Sequence, residues 1–567
     1  MRFLLARLYI QSLTGKTTPK SIRLELEKME IGTDALSKAY DDTMRRIDSQ
    51  EKDIRELAKK ILSWIFYARR LLTINELLHA MGVGPEASRL DKEDLYDPDE
   101  MISFCAGLVE VEKKSGVIRL VHYTTREYFE RTESQHFPGA AESITATCLT
   151  YLSLDNFAGG YCLTDSSLQT RLREYYLFDY AARNWAGHSR RVQASVYGHA
   201  RKFLMDEPKV SSASQVLLTS KHRGRHYSQQ TAKKFSGMHM VAYLGLDVIM
   251  TSLFQEKINP DSKDSLGRTP LSYSAERGWE KVVELLLGAK VNSNSQDNTG
   301  GTPLHWAAWR GRARVVASLI EKGADIEVSD SGKGTPLVWA IDSRSDETLR
   351  LLLERKAKCE FLYSPFNRFE KYMSDIRQSI TAYEKYTSSV TYDYADYDDY
   401  SNSCDDCSHY YGYYSHSYHD DSAEDQPAIA DQLYHALSRR EQYLYNQAKK
   451  QLLQGGGDDF EFTPLSWAVW KRNHAAVKLL LENGCDPCFQ TRRGTTPLKW
   501  AKAIRDEKAR ELLESYIRLV PGRSSPVSAR SAPPTSTSHT PVLISPKISG
   551  LQIRPAAAYP DYRGYYQ

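Results

Sequence analysis

The tripeptide Thr-Pro-Leu returns on a 33-residue clock, and that clock limits this chain to a stacked array. Thr269-Pro270-Leu271, Thr302-Pro303-Leu304 and Thr335-Pro336-Leu337 stand 33 residues apart, and Thr463-Pro464-Leu465 and Thr496-Pro497-Leu498 keep the same interval. A weaker copy, Ser236-Gly237-Met238-His239, sits one period earlier with Ala242 and Gly245 in step. A unit of this size cannot bury its own apolar face, so its copies must stack. The residues supply its parts, a turn and two antiparallel helices. Proline at a first helical position has a preset φ and lacks an N–H that would go unpaired there. The threonine before it can cap the helix with its hydroxyl. Gly278 and Gly311 suit the turn between helices, and Leu285-Leu286-Leu287, Leu351-Leu352-Leu353 and Leu479-Leu480-Leu481 suit the buried side of the second helix. We number the copies 1 to 6 from Ser236 to Thr496.

The clock skips once. From Thr335 to Thr463 is 128 residues, one period plus 95. The array is therefore expected over 231–359 (repeats 1–4) and 462–517 (repeats 5–6), with an insertion at 360–461. Phe369, Tyr372, Met373, Ile376 and Ile380 at one end, and Ile429, Leu433 and Leu437 at the other, have helical spacing. Residues 384–425 hold eleven Asp or Glu against one Lys, with tyrosines throughout. Without aliphatic side chains such a stretch builds no core. The insertion reads as a helical hairpin carrying a disordered acidic, Tyr-rich loop at 388–425. Residues 518–567, dominated by Pro, Ser, Thr and Arg, read as a disordered tail.

The first two hundred residues follow no period. Residues 1–50 read as a helical segment. Ile54, Leu57, Ala58, Ile61, Leu62 and Ile65 then share one helix face, and Thr73 with Glu76 forms a capping box before Leu77 and Leu78. A third helix over Met101–Ala106 leads into β-rich runs at 108–111 and 117–121, joined by Glu112-Lys113-Lys114-Ser115-Gly116. Three helices and a hairpin outline a winged helix over 51–135. Further helices are expected over 136–205, and the polar, basic stretch 206–230 reads as a linker. The fold class is mainly α: a winged-helix and helical region, then a solenoid with a large insertion.

A chain of 567 residues exceeds one core. Its net charge of +3 implies no overall attraction to nucleic acid or membrane. No apolar run approaches the roughly 20 residues that span a bilayer, and Arg7 interrupts Met1-Arg2-Phe3-Leu4-Leu5. Eight cysteines over this length suit a reducing compartment, so a cytoplasmic location is expected, with the nucleus as the alternative.

Thirty-three residues built on T-P-L-H-x-A resemble the ankyrin repeat. That resemblance implies an array that binds proteins and carries no catalysis. A second resemblance rests on Leu120-Val121-His122-Tyr123-Thr124-Thr125-Arg126-Glu127-Tyr128-Phe129. It is joined by Ile61-Leu62-Ser63-Trp64-Ile65, Leu72-Thr73-Ile74-Asn75-Glu76-Leu77 and Asp179-Tyr180-Ala181-Ala182-Arg183-Asn184-Trp185. These resemble the region after the NACHT ATPase in fungal NACHT–ankyrin proteins, NOD-like signal-transducing NTPases. They imply that residues 1–200 are the post-ATPase helices and 231–517 the sensor array. In that family the His of H-x-[S/T]-x-x-E-[Y/F] reaches the bound ADP, which implies that role for His122. The ATPase itself is missing. Gly15-Lys16-Thr17 is a fragment of a phosphate loop, but Ile10 occupies its first glycine position and no strand leads into it. The resemblance therefore implies a relative without the ATPase, or a chain whose numbering starts inside a larger protein.

No cofactor, metal or catalytic constellation is expected. Cys404/Cys407, near His409, His416 and His419, lie too far from Cys485/Cys488 for a zinc ribbon, with 77 residues between the pairs. Cys485 occupies the place of Ala324 in Gly323-Ala324-Asp325, as a small buried filler. A winged helix can bind DNA, and Lys113-Lys114 fit a basic wing. Glu110, Glu112 and Asp97-Pro98-Asp99-Glu100 oppose that reading. The candidate site is aromatic: Tyr273, Trp306, Trp339, Trp467 and Trp500 fall four residues after each repeat threonine, and Trp309 and Trp470 one turn later. Two roles stay open for them, stacking on neighbouring repeats or anchoring a protein partner on the concave face. The function expected is a non-enzymatic scaffold or adaptor, the sensor half of a NOD-like protein, with a winged-helix DNA-binding regulator as the alternative.

Overall fold

A computed structural model describes residue 10 and residues 17–27, 35–219, 227–230, 233–256, 258–363 and 461–519. Gly15-Lys16, the body of the insertion with Cys404 and Cys407, and the tail lie outside the described residues.

Helices α1 (Pro19–Glu27) and α2 (Ala35–Asp48) precede α3 (Lys52–Tyr67). The face with Ala58, Ile61 and Leu62 is buried, as its spacing predicts, and Trp64 joins it. The capping box forms: the Thr73 hydroxyl accepts from the Glu76 amide and the Glu76 carboxylate accepts from the Thr73 amide, which starts α4 (Ile74–Gly82). After α5 (Pro98–Ser103) the chain makes a three-stranded sheet. Its strands are β1 (Leu72–Thr73), β2 (Val109–Val111) and β3 (Val117–Leu120), in antiparallel order β1-β3-β2. Leu72 pairs with Ile118, and Val111 with Ile118 on the other edge. β1 carries no sequence signal because two residues are too few for a period. Helix α6 (Tyr123–His136) closes this winged-helix-like unit.

Helices α7 (Ala140–Leu152) and α9 (Leu177–Ser189) pack through Leu149, Tyr151, Phe178 and Trp185, with α8 (Asp165–Glu174) alongside and α10 (Tyr197–Leu204) next. The linker expected over 206–230 is instead opened by helix α11 (Glu207–Leu218), N-capped by Asp206 and buried at Val210, Ala213 and Val216. Its inner face escaped notice because it is small and polar. Gln215 is fully buried, accepting from the Cys162 amide at 2.8 Å and donating to the Cys162 carbonyl at 2.8 Å. A polar group so satisfied costs little to bury.

Together α10 and α11 cover the first repeat, whose apolar end would otherwise meet water. Repeat 1 departs from the pattern there for a steric reason. A Cβ at Gly237 would sit 2.3 Å from the Leu204 carbonyl oxygen, so the proline of other repeats does not fit. Gln193 completes the junction. Its side chain accepts from the Val248 and Ile249 amides, caps the second helix of repeat 1, and donates to Asp247.

Each repeat gives a short first helix, among them Pro270–Arg277, Pro303–Trp309 and Pro336–Ser343, and a second one, among them Glu280–Gly288, Ala313–Glu321 and Asp346–Glu354. The turn between the two uses a left-handed residue nine positions after the capping Thr or Ser. It is glycine in repeats 1 to 3 (Gly245, Gly278, Gly311) and arginine in repeats 4 to 6 (Arg344, Arg472, Arg505). The insertion interrupts a hairpin turn between repeats. Asp330 and Gly334 close that turn in repeat 4 and Thr491 and Thr495 in repeat 6, while Tyr363 and Phe462 close it in repeat 5 with backbone bonds of 3.0 and 2.9 Å. Both chain ends of the insertion therefore leave from one point, and repeats 4 and 5 stack directly. The Asn473 side chain donates to the Ile341 carbonyl, and Cys359 and Cys485 form a disulfide. Cys485 is thus buried as expected and also paired.

Candidate protein-binding face

The aromatic clock has a local cause. In repeats 2, 3 and 4 an aspartate stands five residues before the threonine, as Asp264, Asp297 and Asp330. One carboxylate oxygen of each accepts two amides of its turn: Leu266 and Arg268, Thr299 and Gly301, Gly332 and Gly334. The other accepts from the Tyr273 hydroxyl at 2.6 Å, the Trp306 indole at 2.8 Å and the Trp339 indole at 2.7 Å. Each ring is thereby fastened to its own turn, and its polar tip is satisfied inside the stack. Repeat 5 has Tyr363 at the aspartate position, and the Trp467 indole donates instead to Asp342 of repeat 4, at 2.9 Å.

That fastening buries most of the candidate anchors. Tyr273, Trp339, Trp467, Trp470 and Trp500 are buried, whereas Trp306 and Trp309 keep part of their surface in solvent. Trp339 meets Trp306 edge-on at 5.3 Å, and Trp500 stacks on Phe462 at 4.7 Å. Stacking between repeats therefore occupies five of the seven rings. As partner anchors those five lack the exposed surface that role demands, because their apolar area is already spent on the neighbouring repeat. Trp306 and Trp309 form the pair that retains it.

Cations complete this face. The Arg268 guanidinium is sandwiched between Tyr273 and Trp306, 4.0 and 3.8 Å from their centroids, and pairs with Glu276 at 2.7 Å. Glu276 also meets Arg310 at 3.0 Å, and Arg310 lies 4.2 Å over Trp309. Burial pushes the Glu276 carboxyl up, and the two guanidiniums more than offset it, holding it below the usual carboxylate range. Burial pushes the Tyr273 hydroxyl well up, with Arg268 opposing. Sequence reasoning missed Arg268, which replaces the glycine found before the threonine in repeats 3 and 4. That substitution was its one signal.

His122 is the N-cap of α6 and partly buried. Its Nδ1 accepts from the Thr124 amide at 3.3 Å and lies 2.9 Å from the Thr124 hydroxyl, which in turn is 2.8 Å from the buried Tyr40 hydroxyl. Tyr123, 61 % exposed, covers its ring at 4.3 Å. On the wing, Glu110 pairs with Arg119 and Glu112 accepts from Ser115. Among the described residues no group of three or more His, Cys, Asp or Glu could hold a metal ion, and no helix is long and apolar enough to cross a membrane.

Comparison with known families matches three stretches of the chain. Residues 238–330 match the family of ankyrin repeats in three copies, residues 460–492 match the single ankyrin repeat, and residues 46–136 match the winged helix domain of GPI inositol-deacylase. An ankyrin repeat domain from Acinetobacter baumannii AYE is similar at 16 % identity and a TM-score of 0.30, over 49 % of this chain and 96 % of its own. No curated protein matches. The protein therefore joins a winged-helix-like domain to an ankyrin-repeat array, in a mostly helical chain.

Proposed function

We propose that the array is a docking scaffold for a protein partner seated on the first-helix face around Trp306, Trp309 and Arg310. Ankyrin repeats generally mediate protein–protein interaction, and their families are generally non-enzymatic. The observation that carries the site is the half-buried Trp306–Trp309 pair, rings 5.6 Å apart and edged by Arg310. Tryptophan and arginine are the side chains most enriched among binding hot spots. The face is already fixed by Asp297 and Glu276, so a partner meets ordered rings and loses little entropy at them.

The finer reading is that this chain is the regulatory part of a NOD-like signalling protein, with the winged-helix region acting on a nucleotide-binding domain supplied elsewhere. Exposed Tyr123 beside His122 supports it, since that corner offers surface to a neighbour. The wing's acidic Glu110 and Glu112 speak against DNA as the ligand of this domain.

Affinity purification of the full chain followed by mass spectrometry tests the docking reading. Partners recovered with the natural chain are expected to be lost with Trp309→Ala while the melting temperature changes little. Undiminished recovery would remove this face from the reading. Calorimetry with ATP and Mg²⁺ tests the finer one, because the chain by itself is expected to bind no nucleotide.

A further inference from the structure

The array segregates its charge in a way the net value of +3 conceals. On the hairpin turns and first helices, the described acidic residues are Asp264, Glu276, Asp297, Asp330, Asp342 and Glu461. None faces a ligand. Asp264, Asp297 and Asp330 are buried in their turns, and Glu276 is buried between Arg268 and Arg310. The side chain of Asp342, 13 % exposed, holds the Trp467 indole and Lys471, and Glu461 meets Arg492. The cations of the same surface point outward: Arg277, Lys333, Arg344, Arg493, Lys499 and Lys502 are exposed. The second helices differ, carrying exposed Glu280, Asp346, Glu347 and Glu354 beside their basic residues.

Part of this charge is periodic. Arg277, Arg310 and Lys471 each stand eight residues after a repeat threonine. Each lies over an aromatic ring: Arg277 at 3.9 Å from the Tyr243 centroid, Arg310 at 4.2 Å from Trp309, Lys471 at 4.9 Å from Trp467. A cation held on a ring is pre-oriented and only partly hydrated, so pairing with an anion costs less ordering. Stacked helices lie roughly 8–10 Å apart. An extended peptide rises about 3.3 Å per residue, so its every third side chain spans one repeat.

We infer that the partner segment seated on the first-helix face is acidic and extended, with carboxylates about every third residue meeting this row of ring-mounted cations. The inference rests on the docking reading above and adds the partner's chemistry. A nucleic acid fits less well, because its close-set phosphates would meet the carboxylates of Asp342 and Glu461 between the cations.

Fluorescence anisotropy on the full chain tests it, with a labelled twelve-residue peptide bearing Glu at every third position. Controls are an isomer with its glutamates contiguous, a version with Lys for Glu, and a twelve-nucleotide oligo-dT. The spaced acidic peptide is expected to bind best and to weaken at least tenfold between 50 and 300 mM salt. Arg277→Glu and Lys499→Glu, both at exposed sites, are each expected to weaken it about fivefold with unchanged circular dichroism. Lys281→Glu on a second helix, 83 % exposed, is expected to leave it unchanged. Equal loss with Lys281→Glu, equal binding of the Lys peptide, or tighter binding of oligo-dT would overturn the inference. Peptide binding that appears only after residues 388–425 are replaced by a Gly/Ser linker would assign the face to the chain's own acidic segment, and would overturn it too. If these peptide results fail while Trp309→Ala still abolishes partner recovery, the docking reading survives and only the acidic chemistry falls.

Discussion

The ankyrin array and the region before it reach stability by different routes. In the array each repeat solves one problem in the same way, with Asp297 and Asp330 tying turn amides to an indole nine residues later. The solution is local, so it can be copied. Before the array, buried polar groups find partners far along the chain and once only. His79 Nδ1 lies 2.8 Å from the Tyr151 hydroxyl, 72 residues away, and the Tyr180 hydroxyl accepts from the Arg69 amide, 111 residues away. A copied local solution tolerates interruption between copies, which is why 98 residues can separate Tyr363 from Phe462 while their backbone bonds persist. A set of single long-range partners has no such seam.

The sharpest way to break this contrast is to remove a fastened ring. Trp339→Ala is expected to cost about 3–5 kcal/mol in denaturant unfolding, against roughly 1 kcal/mol for the half-exposed Trp309→Ala, about what its exposed area leaves to lose. Equal costs would show that both rings serve packing alone. Next comes the buried ion cluster. Glu276→Leu strands Arg268, with an expected loss of about 3–5 kcal/mol, and adding Arg268→Leu is expected to restore a large part of it. A double variant whose losses simply add would mean the two side chains do not act as a pair.

Acid separates the two regions. Burial lowers the pKa of His79 and of His188 to about 4, with Arg69 also acting on His188. The folded state therefore refuses protons that the unfolded chain accepts below its ordinary histidine pKa of about 6.5. Stability is fully present above that value and falls as pH drops from 6.5 towards 4. Each histidine contributes up to about 3 kcal/mol to the loss. The region before the array is expected to open first, with amide exchange in α4 and α9 rising before exchange in the helices of repeats 3 and 4. Array exchange rising first would reverse the assignment. The smallest effect concerns the turn between helices. Arg344→Gly is expected to stabilise the array by about 1 kcal/mol, since Arg344 sits at φ +54 where a Cβ is strained. A loss instead would mean that the Arg344 side chain contributes more than its backbone costs.

How much of this was legible follows from the same division. The repeats announced themselves because a solution copied every 33 residues leaves a mark at fixed spacing, down to the interruption between Thr335 and Thr463. The capping box at Thr73 and Glu76 was legible because both partners lie within one turn. Helix α11 was not, because Ser212, Ser214 and Gln215 are buried by hydrogen bonds rather than by an apolar stripe. Among the seven aromatic candidates the sequence marked all alike, since periodicity tells where a ring stands along a helix and not how much of it a neighbour covers.

By itself, then, the sequence determined the number, phase and secondary structure of the repeats, because those depend on contacts within a few residues. Tertiary structure alone decided which rings face solvent, which carboxylates are consumed by turns and guanidiniums, and how α10 and α11 close the array. Those outcomes depend on surfaces brought together from distant parts of the chain, as when the Leu204 carbonyl excludes any side chain at Gly237.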